Sequence, residues 1–233
     1  MNQTETEMVI EWFLDLEGRL KQYLKMVPIT WNHNAVLPLL SGIIVEAGGL
    51  VDSIFREEYD LSKSSGLRKN LKINHFAEQY EQRYELSSKT TLIYQYPPIT
   101  LNPFSAWSQG AKSADLKLDW WEAYNKLKHE KIKQYTKSTL HNAVTSLCAL
   151  HQVLSVLPCF FRSLLAHDMV ALQGYAIPYA IEAIEQGQTD LPFLVDSELF
   201  ATPYAGKRFP PNVNNISSAV YGGSRRLAQF LGR

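Results

Sequence analysis

The sequence predicts an all-α fold: a helical bundle of four to five helices with an irregular C-terminal extension. Three observations carry this. Long segments of the first 170 residues or so repeat their apolar side chains at helical spacing. Prolines fall between those segments or in a first turn. Beyond Leu172 the periodicity weakens, and Pro178, Pro192, Pro203, Pro210 and Pro211 punctuate the chain. The expected organisation is a bundle over residues 1–170 and an irregular, partly flexible segment over 171–233.

Met8 to Met26 reads as the first helix, with Val9, Trp12, Phe13, Leu16, Leu20, Tyr23 and Leu24 in helical phase and Pro28 as its stop. The second helix runs from about Val36 to Glu58, with Pro38 tolerated in the first turn. Leu39, Leu40, Ile43, Ile44, Ala47, Leu50, Val51, Ile54 and Phe55 form its wide apolar stripe. Gly42 and Gly49 flank that stripe, each costing roughly 1 kcal/mol against alanine, which points to close approach of another backbone. Ser62 to Gly66 reads as a turn and Leu67 to Leu86 as a weaker helix. Thr90 to Trp107, broken by Pro97, Pro98 and Pro103, reads as an extended crossover packed by Tyr94, Tyr96 and Phe104. Helices follow at Leu116–Tyr135 and from Leu140 to Pro158, continuing past that kink over Phe160–Val170. Leu191 to Phe200 has room for a short strand, and Asn212 to Gly223 reads as flexible.

The chain of 233 residues is 45% hydrophobic and 20% charged, the balance of a globular protein rather than a disordered one. Its formal net charge is zero, so the whole molecule makes no electrostatic case for nucleic acid. The distribution is uneven: Lys207, Arg208, Arg225, Arg226 and Arg233 follow Ala205 with no acidic residue among them. Cys148 and Cys159 stand in apolar surroundings without metal or redox spacing and read as reduced thiols. The acidic start, Met1 to Glu7, lacks the basic region of a signal or transit peptide. Leu140 to Phe161 carries no Lys, Arg, Asp or Glu, but its Asn142, Thr145, Ser146, His151 and Gln152 favour a buried core helix over a membrane span. These features predict a cytoplasmic protein without membrane contact. His151, on an apolar helix face, reads as a core histidine with one hydrogen bond. No cofactor fingerprint and no zinc-ligand spacing occurs.

The segment Trp120-Trp121-Glu122-Ala123-Tyr124-Asn125-Lys126-Leu127-Lys128-His129 concentrates the chemistry. Trp121, Asn125 and His129 recur at four-residue spacing on one helix face, beside Tyr124 and Lys128. His129 is the candidate acid or base, with a natural pKa near neutrality, and Asn125 the candidate partner one turn earlier. Lys126, Lys128, Lys131 and Lys133 surround it and would attract a phosphate. Trp121, Tyr124, Lys128 and Glu46 are the candidate binding residues, Glu46 because a carboxylate at the edge of an apolar stripe calls for a partner. Asn125, Lys128 or His129 could be that partner, and so could Arg19 or Lys72. The competing reading of the same face is a satisfied polar network between helices.

The Tyr124–His129 segment, followed by a long apolar helix, resembles the HEPN superfamily of compact, often dimeric helical proteins. That family includes metal-independent ribonucleases of toxin, anti-phage and CRISPR systems. Its signature is an arginine followed after four to six residues by a histidine, with a polar residue, often asparagine, after the arginine. Asn125 and His129 match two of these positions, and Tyr124 stands where the arginine belongs. The Trp-Trp-x-x-Tyr-Asn-x-x-Lys-His pattern also resembles a group of bacterial proteins from which no activity carries over. The resemblance implies a homodimeric, non-catalytic module that binds RNA, a nucleotide or a protein partner in a defence or toxin–antitoxin setting. Its alternatives are a metal-independent ribonuclease acting through His129 and a purely structural helical protein.

Overall fold

The computed structural model describes residues 1–59, 71–95, 97–109, 117–172, 177–188, 191, 193–204 and 224–232. Helix α1 (Gln3–Leu24) begins at a capping box in which the Asn2 side chain accepts from the Glu5 amide and the Glu5 carboxylate accepts from the Asn2 amide. Such a cap stabilises a helix start by about 1 kcal/mol. Its Val9, Ile10, Phe13, Leu16 and Leu20 are buried, while Met8 and Trp12 remain exposed. A short helix α2 (Ile29–Asn32) leads to α3 (Leu40–Glu57). Next comes a segment of α4 (Ile73–Phe76), a π turn at Ala77–Glu81 and α5 (Gln82–Tyr84). Helices α6 (Asp119–Glu130), α7 (Leu140–Val156) and α8 (Phe161–Ala166) follow, then α9 (Ile177–Glu185) and α10 (Arg225–Phe230).

Helix α7 is the centre of the molecule. Every residue from Asn142 to Val156 is buried, and the helix packs against α1, α3, α6 and a strand of the sheet. Each leucine-sized side chain so buried contributes about 1.5–3 kcal/mol. Among the described residues, no single helix is long and apolar enough to cross a membrane. The charge-free stretch at Leu140–Phe161 is core.

The all-α expectation is wrong: the fold is α+β. Strands β1 (Thr91–Ile93), β2 (Ile99–Leu101), β3 (Val170–Leu172), β4 (Phe193–Asp196) and β5 (Phe200–Pro203) form an antiparallel sheet in the order β2-β1-β5-β4-β3. The presumed crossover holds a hairpin, with Leu92 opposite Thr100. The presumed irregular C-terminal part supplies β4 and β5, both buried throughout; β4 falls within Leu191–Phe200, where a short strand was expected, and β5 begins at its end. Both misreadings have one cause. Strands of three or four residues are too short to show an alternation of apolar and polar side chains, and β1, β4 and β5 are buried throughout, so periodicity has nothing to register. The expected turn at Ser62–Gly66, Tyr96, the flexible stretch at Asn212–Gly223, and Lys207, Arg208 and Arg233 lie outside the described residues.

Buried polar contacts tie the sheet to the helices. His151 is fully buried between Phe13 and Phe200, its Nδ1 within 2.8 Å of Thr202 Oγ1, a core histidine with one hydrogen bond. Thr202 in turn meets Thr91 Oγ1 at 2.7 Å, linking β5 to β1. On α10, Arg226 donates to the backbone carbonyls of Asp168 and Asp196, and Ser224 bonds the Asp196 carboxylate, which also accepts from Tyr94 Oη at 2.9 Å.

Burial pushes the His151 pKa down to about 3. Between that value and the ordinary 6.5 the unfolded chain binds the proton and the folded one does not, so stability is lost as pH falls through this window. Glu17 and Asp196, both raised by burial, act in the opposite sense. At about pH 5 the histidine contribution is roughly 2 kcal/mol. A His151→Gln variant, which keeps a hydrogen-bonding group beside Thr202, is therefore expected to lose less stability than the wild type between neutral pH and about pH 5. Parallel urea midpoints for the two proteins across that range would count against the assignment.

Candidate functional site

Helix α6 crosses α3 at a single point of unusual closeness. A Cβ placed on Gly48 would lie 2.5 Å from Tyr124 Cγ and 2.8 Å from Tyr124 Cβ, so only glycine admits the buried tyrosine there. The expected contact glycines were Gly42 and Gly49. A Cβ on Gly42 would meet the Glu46 and Arg19 side chains, at 3.4 and 3.8 Å, and one on Gly49 would stand 4.0 Å from the tyrosine ring. The close approach is real, but Gly48 provides it.

The motif divides into two halves. Its aromatic half is core: Trp120 is buried and donates from Nε1 to the Pro103 carbonyl at 2.8 Å. Trp121 is half-buried, packed against Trp120, Tyr124 and Phe76. A ligand-stacking role for Trp121 would require displacing this cluster. Asn125 spends its amide on the Trp121 carbonyl one turn back, at 2.9 Å, and does not reach His129 by a hydrogen bond.

The polar half faces outward. Lys128 donates to Tyr124 Oη at 2.8 Å, and this bond holds its pKa above the usual lysine value. Tyr124 and Lys128 line a groove of about 460 Å³ with Glu46, Asp52 and Trp12. Glu46 lines the groove without joining the motif: Arg19 binds its carboxylate through two nitrogens, at 3.0 and 3.3 Å. The structural partner weighed for Glu46, Arg19, is the one present. His129 is exposed at the last turn of α6 and has no hydrogen bond or ion pair among the described residues.

Sequence reading gave too little weight to the turn after α6. The backbone of residues 33–37 pairs with 138–141, through Leu37 N to Ser138 O at 3.1 Å, Leu140 N to Ala35 O at 2.9 Å and His141 N to His33 O at 2.8 Å. The segment from Lys131 to Lys137 precedes this clamp and is mostly exposed, with Lys131 beside α1 and α3. Ile132 is 91% exposed and Tyr135 57% exposed. Within Lys126–Lys137 there are five lysines and His129 against one carboxylate, Glu130. Lys126 and Lys137 both reach Glu122, whereas Lys131 and Lys133 have no ion pair among the described residues. The signal was legible as a run of lysines at alternate and third positions around His129.

Arg19, Arg56, Arg162 and Arg226 are bonded to Glu46, Asp52, Glu185 and backbone carbonyls respectively, and Arg83 lies over Tyr84. Each of these five guanidinium groups thus has a partner of its own. Among the described residues no group of His, Cys, Asp and Glu converges as a metal site. Compared with known proteins, the chain matches no family model, no curated protein and no solved structure.

Proposed function

We propose that this chain is a non-catalytic RNA-binding module whose contact surface is the exposed end of α6 and the turn after it, from Lys126 to Lys137. The observation that carries the reading is that Lys131 and Lys133, without an ion pair among the described residues, stand beside an exposed Tyr135 in a protein of zero net charge. Ammonium groups on such a turn neutralise backbone phosphates with release of counterions, and an exposed aromatic ring offers a face on which an unpaired base stacks. Single-stranded RNA satisfies both. The resemblance of Asn125 and His129 to the HEPN signature supports an RNA target. A binding role is favoured over cleavage because, among the described residues, His129 has no hydrogen-bonded partner to orient it and Asn125 is spent on the Trp121 carbonyl.

Titration of a labelled single-stranded RNA at several salt concentrations tests this. The Lys131→Glu/Lys133→Glu protein should bind at least about tenfold more weakly, with a salt slope shallower by about one to two. Tyr135→Ala should weaken binding with the slope unchanged. Equal affinities and slopes for all three proteins would refute the assignment. RNA incubated with the wild type in EDTA should stay intact. Cleavage that disappears in His129→Ala would instead establish the ribonuclease.

A further inference from the structure

A second surface lies along the outer face of α1. Thr4, Met8 and Trp12 succeed one another at four-residue spacing, and Glu7, Glu11 and Asp15 form the adjoining row. Met8 is 49% and Trp12 51% exposed, large apolar side chains with half their surface in water. Trp12 stands as a ridge between two hollows. One, of about 460 Å³, is floored by Leu16, Val45 and Leu50 between α1, α3 and α6. The other, of about 330 Å³, lies between α1 and α8 beside Met8 and Ala166.

The rims of these hollows are acidic. Glu7, Glu11, Asp15, Glu46 and Asp52 line them, against Lys128 and His167. Arg19 partly offsets Asp15 and Glu46, and Arg56 offsets Asp52. Glu7 receives only the neutral Gln3 amide, and Glu11 lies 3.6 Å from His167, leaving the Trp12 end negative. Such a field repels phosphate, so neither RNA nor an anionic bilayer suits this face. Apolar hollows rimmed by carboxylates complement a helix with spaced apolar anchors and flanking lysines or arginines.

We propose that the α1 face is a docking site for a second protein, which enters as a basic amphipathic helix that straddles Trp12. Its apolar side chains fill the two hollows and its cations meet Glu7, Glu11 and Asp15. A second copy of this chain would bring the same acidic row against itself, which like charges oppose. The hollow shares Lys128 with the lysine turn, but the residues tested differ, Trp12, Glu7 and Glu11 here and Lys131, Lys133 and Tyr135 there, so the failure of one reading is distinguishable from the failure of the other.

The probe is a Leu/Lys amphipathic helical peptide, with a Leu/Glu peptide of the same pattern as its counterpart, each titrated against the full chain. The Leu/Lys peptide should bind and the Leu/Glu peptide should not. Trp12→Ala, at a half-exposed position that leaves the core intact, should weaken binding at least about tenfold. Glu7→Lys/Glu11→Lys should weaken it further as salt is lowered, whereas Glu78→Lys/Glu182→Lys, on exposed carboxylates elsewhere, should leave it unchanged. A thermal melt confirms that each variant is folded. RNA affinity should be the same for Trp12→Ala and the wild type. Peptide binding indifferent to Trp12→Ala, or weakened equally by the two charge reversals, would overturn the proposal. So would a dimer of the chain that dissociates on Trp12→Ala, which would assign the face to self-association.

Discussion

Gly48→Ala is expected to cost the fold about 3 kcal/mol, although alanine is the better helix former by roughly 1 kcal/mol. The added methyl would stand 2.5 Å from Tyr124 Cγ, and the tyrosine cannot retreat because it is buried beneath α6 with Trp121 against its ring. Either α6 shifts away from α3 or the ring leaves its rotamer. Gly18→Ala on α1 is the control: its new methyl would meet nothing within 4 Å, so propensity alone operates and stability should rise by up to about 1 kcal/mol. Urea midpoints of the two variants should therefore move in opposite directions. A second test shortens the tyrosine. Tyr124→Ala, which removes the Cγ and Cδ2 atoms that the new methyl meets, should cost less in the Gly48→Ala background than in the wild type, a coupling that a double-mutant cycle measures. Two alanine variants displaced in the same direction would show that the α3–α6 contact is looser than described.

Glu17→Ala is expected to be the more damaging substitution, at about 3–5 kcal/mol. The carboxylate, 1% exposed, accepts from Ser197 Oγ at 2.5 Å, from the Leu199 amide at 2.9 Å and from the Glu198 amide at 3.3 Å. It thereby holds the β4–β5 turn against α1. Removing it strands three donors in a place water does not reach. Burial, the largest influence, raises the Glu17 pKa above its unfolded value near 4.5, so the folded chain takes up the proton more readily than the unfolded one. Its contribution is therefore greatest below the unfolded pKa and declines as pH rises through the folded value. Glu17→Gln, which keeps an acceptor and carries no charge, should cost less than alanine. Its stability should gain on the wild type as pH rises from about 4 to 8. An alanine variant within about 1 kcal/mol of the wild type would remove Glu17 from this role.

The long helices were legible because their length gives the apolar repeat several turns in which to declare itself; α1, α3, α6 and α7 all show it. Of the sheet, a short strand within Leu191–Phe200 was legible, and β4 is there; its partners were not. Phe200–Pro203 is four residues long and buried, too short for an alternating pattern to set it apart from a loop under the core. His151 could be placed because a lone imidazole on an apolar helix face has few satisfactory situations. Gly48 could not be separated from Gly49, since which of two adjacent glycines meets the partner depends on the crossing of the helices. The motif misled in a related way. Successive residues on a helix diverge by about 100°, so one short run placed Trp120 in the core, Lys128 over a groove and His129 in solvent.

The pairing of β1 with β5 sets Leu92 opposite Ala201 and Ile93 opposite Phe200, partners more than a hundred residues apart. During synthesis the hairpin of β1 and β2 exists long before the strand that covers its inner edge. Closing so long a loop carries an entropic cost that short-range helix pairing does not, and topology of this kind slows folding. A nascent chain that stops short of Pro203 therefore presents an unpaired strand edge and an uncovered α7 face, the two features that recruit chaperones or promote aggregation. Completion of the core therefore waits for β5 to be made, and truncation into β5 is a lesion of folding before it is a lesion of any surface.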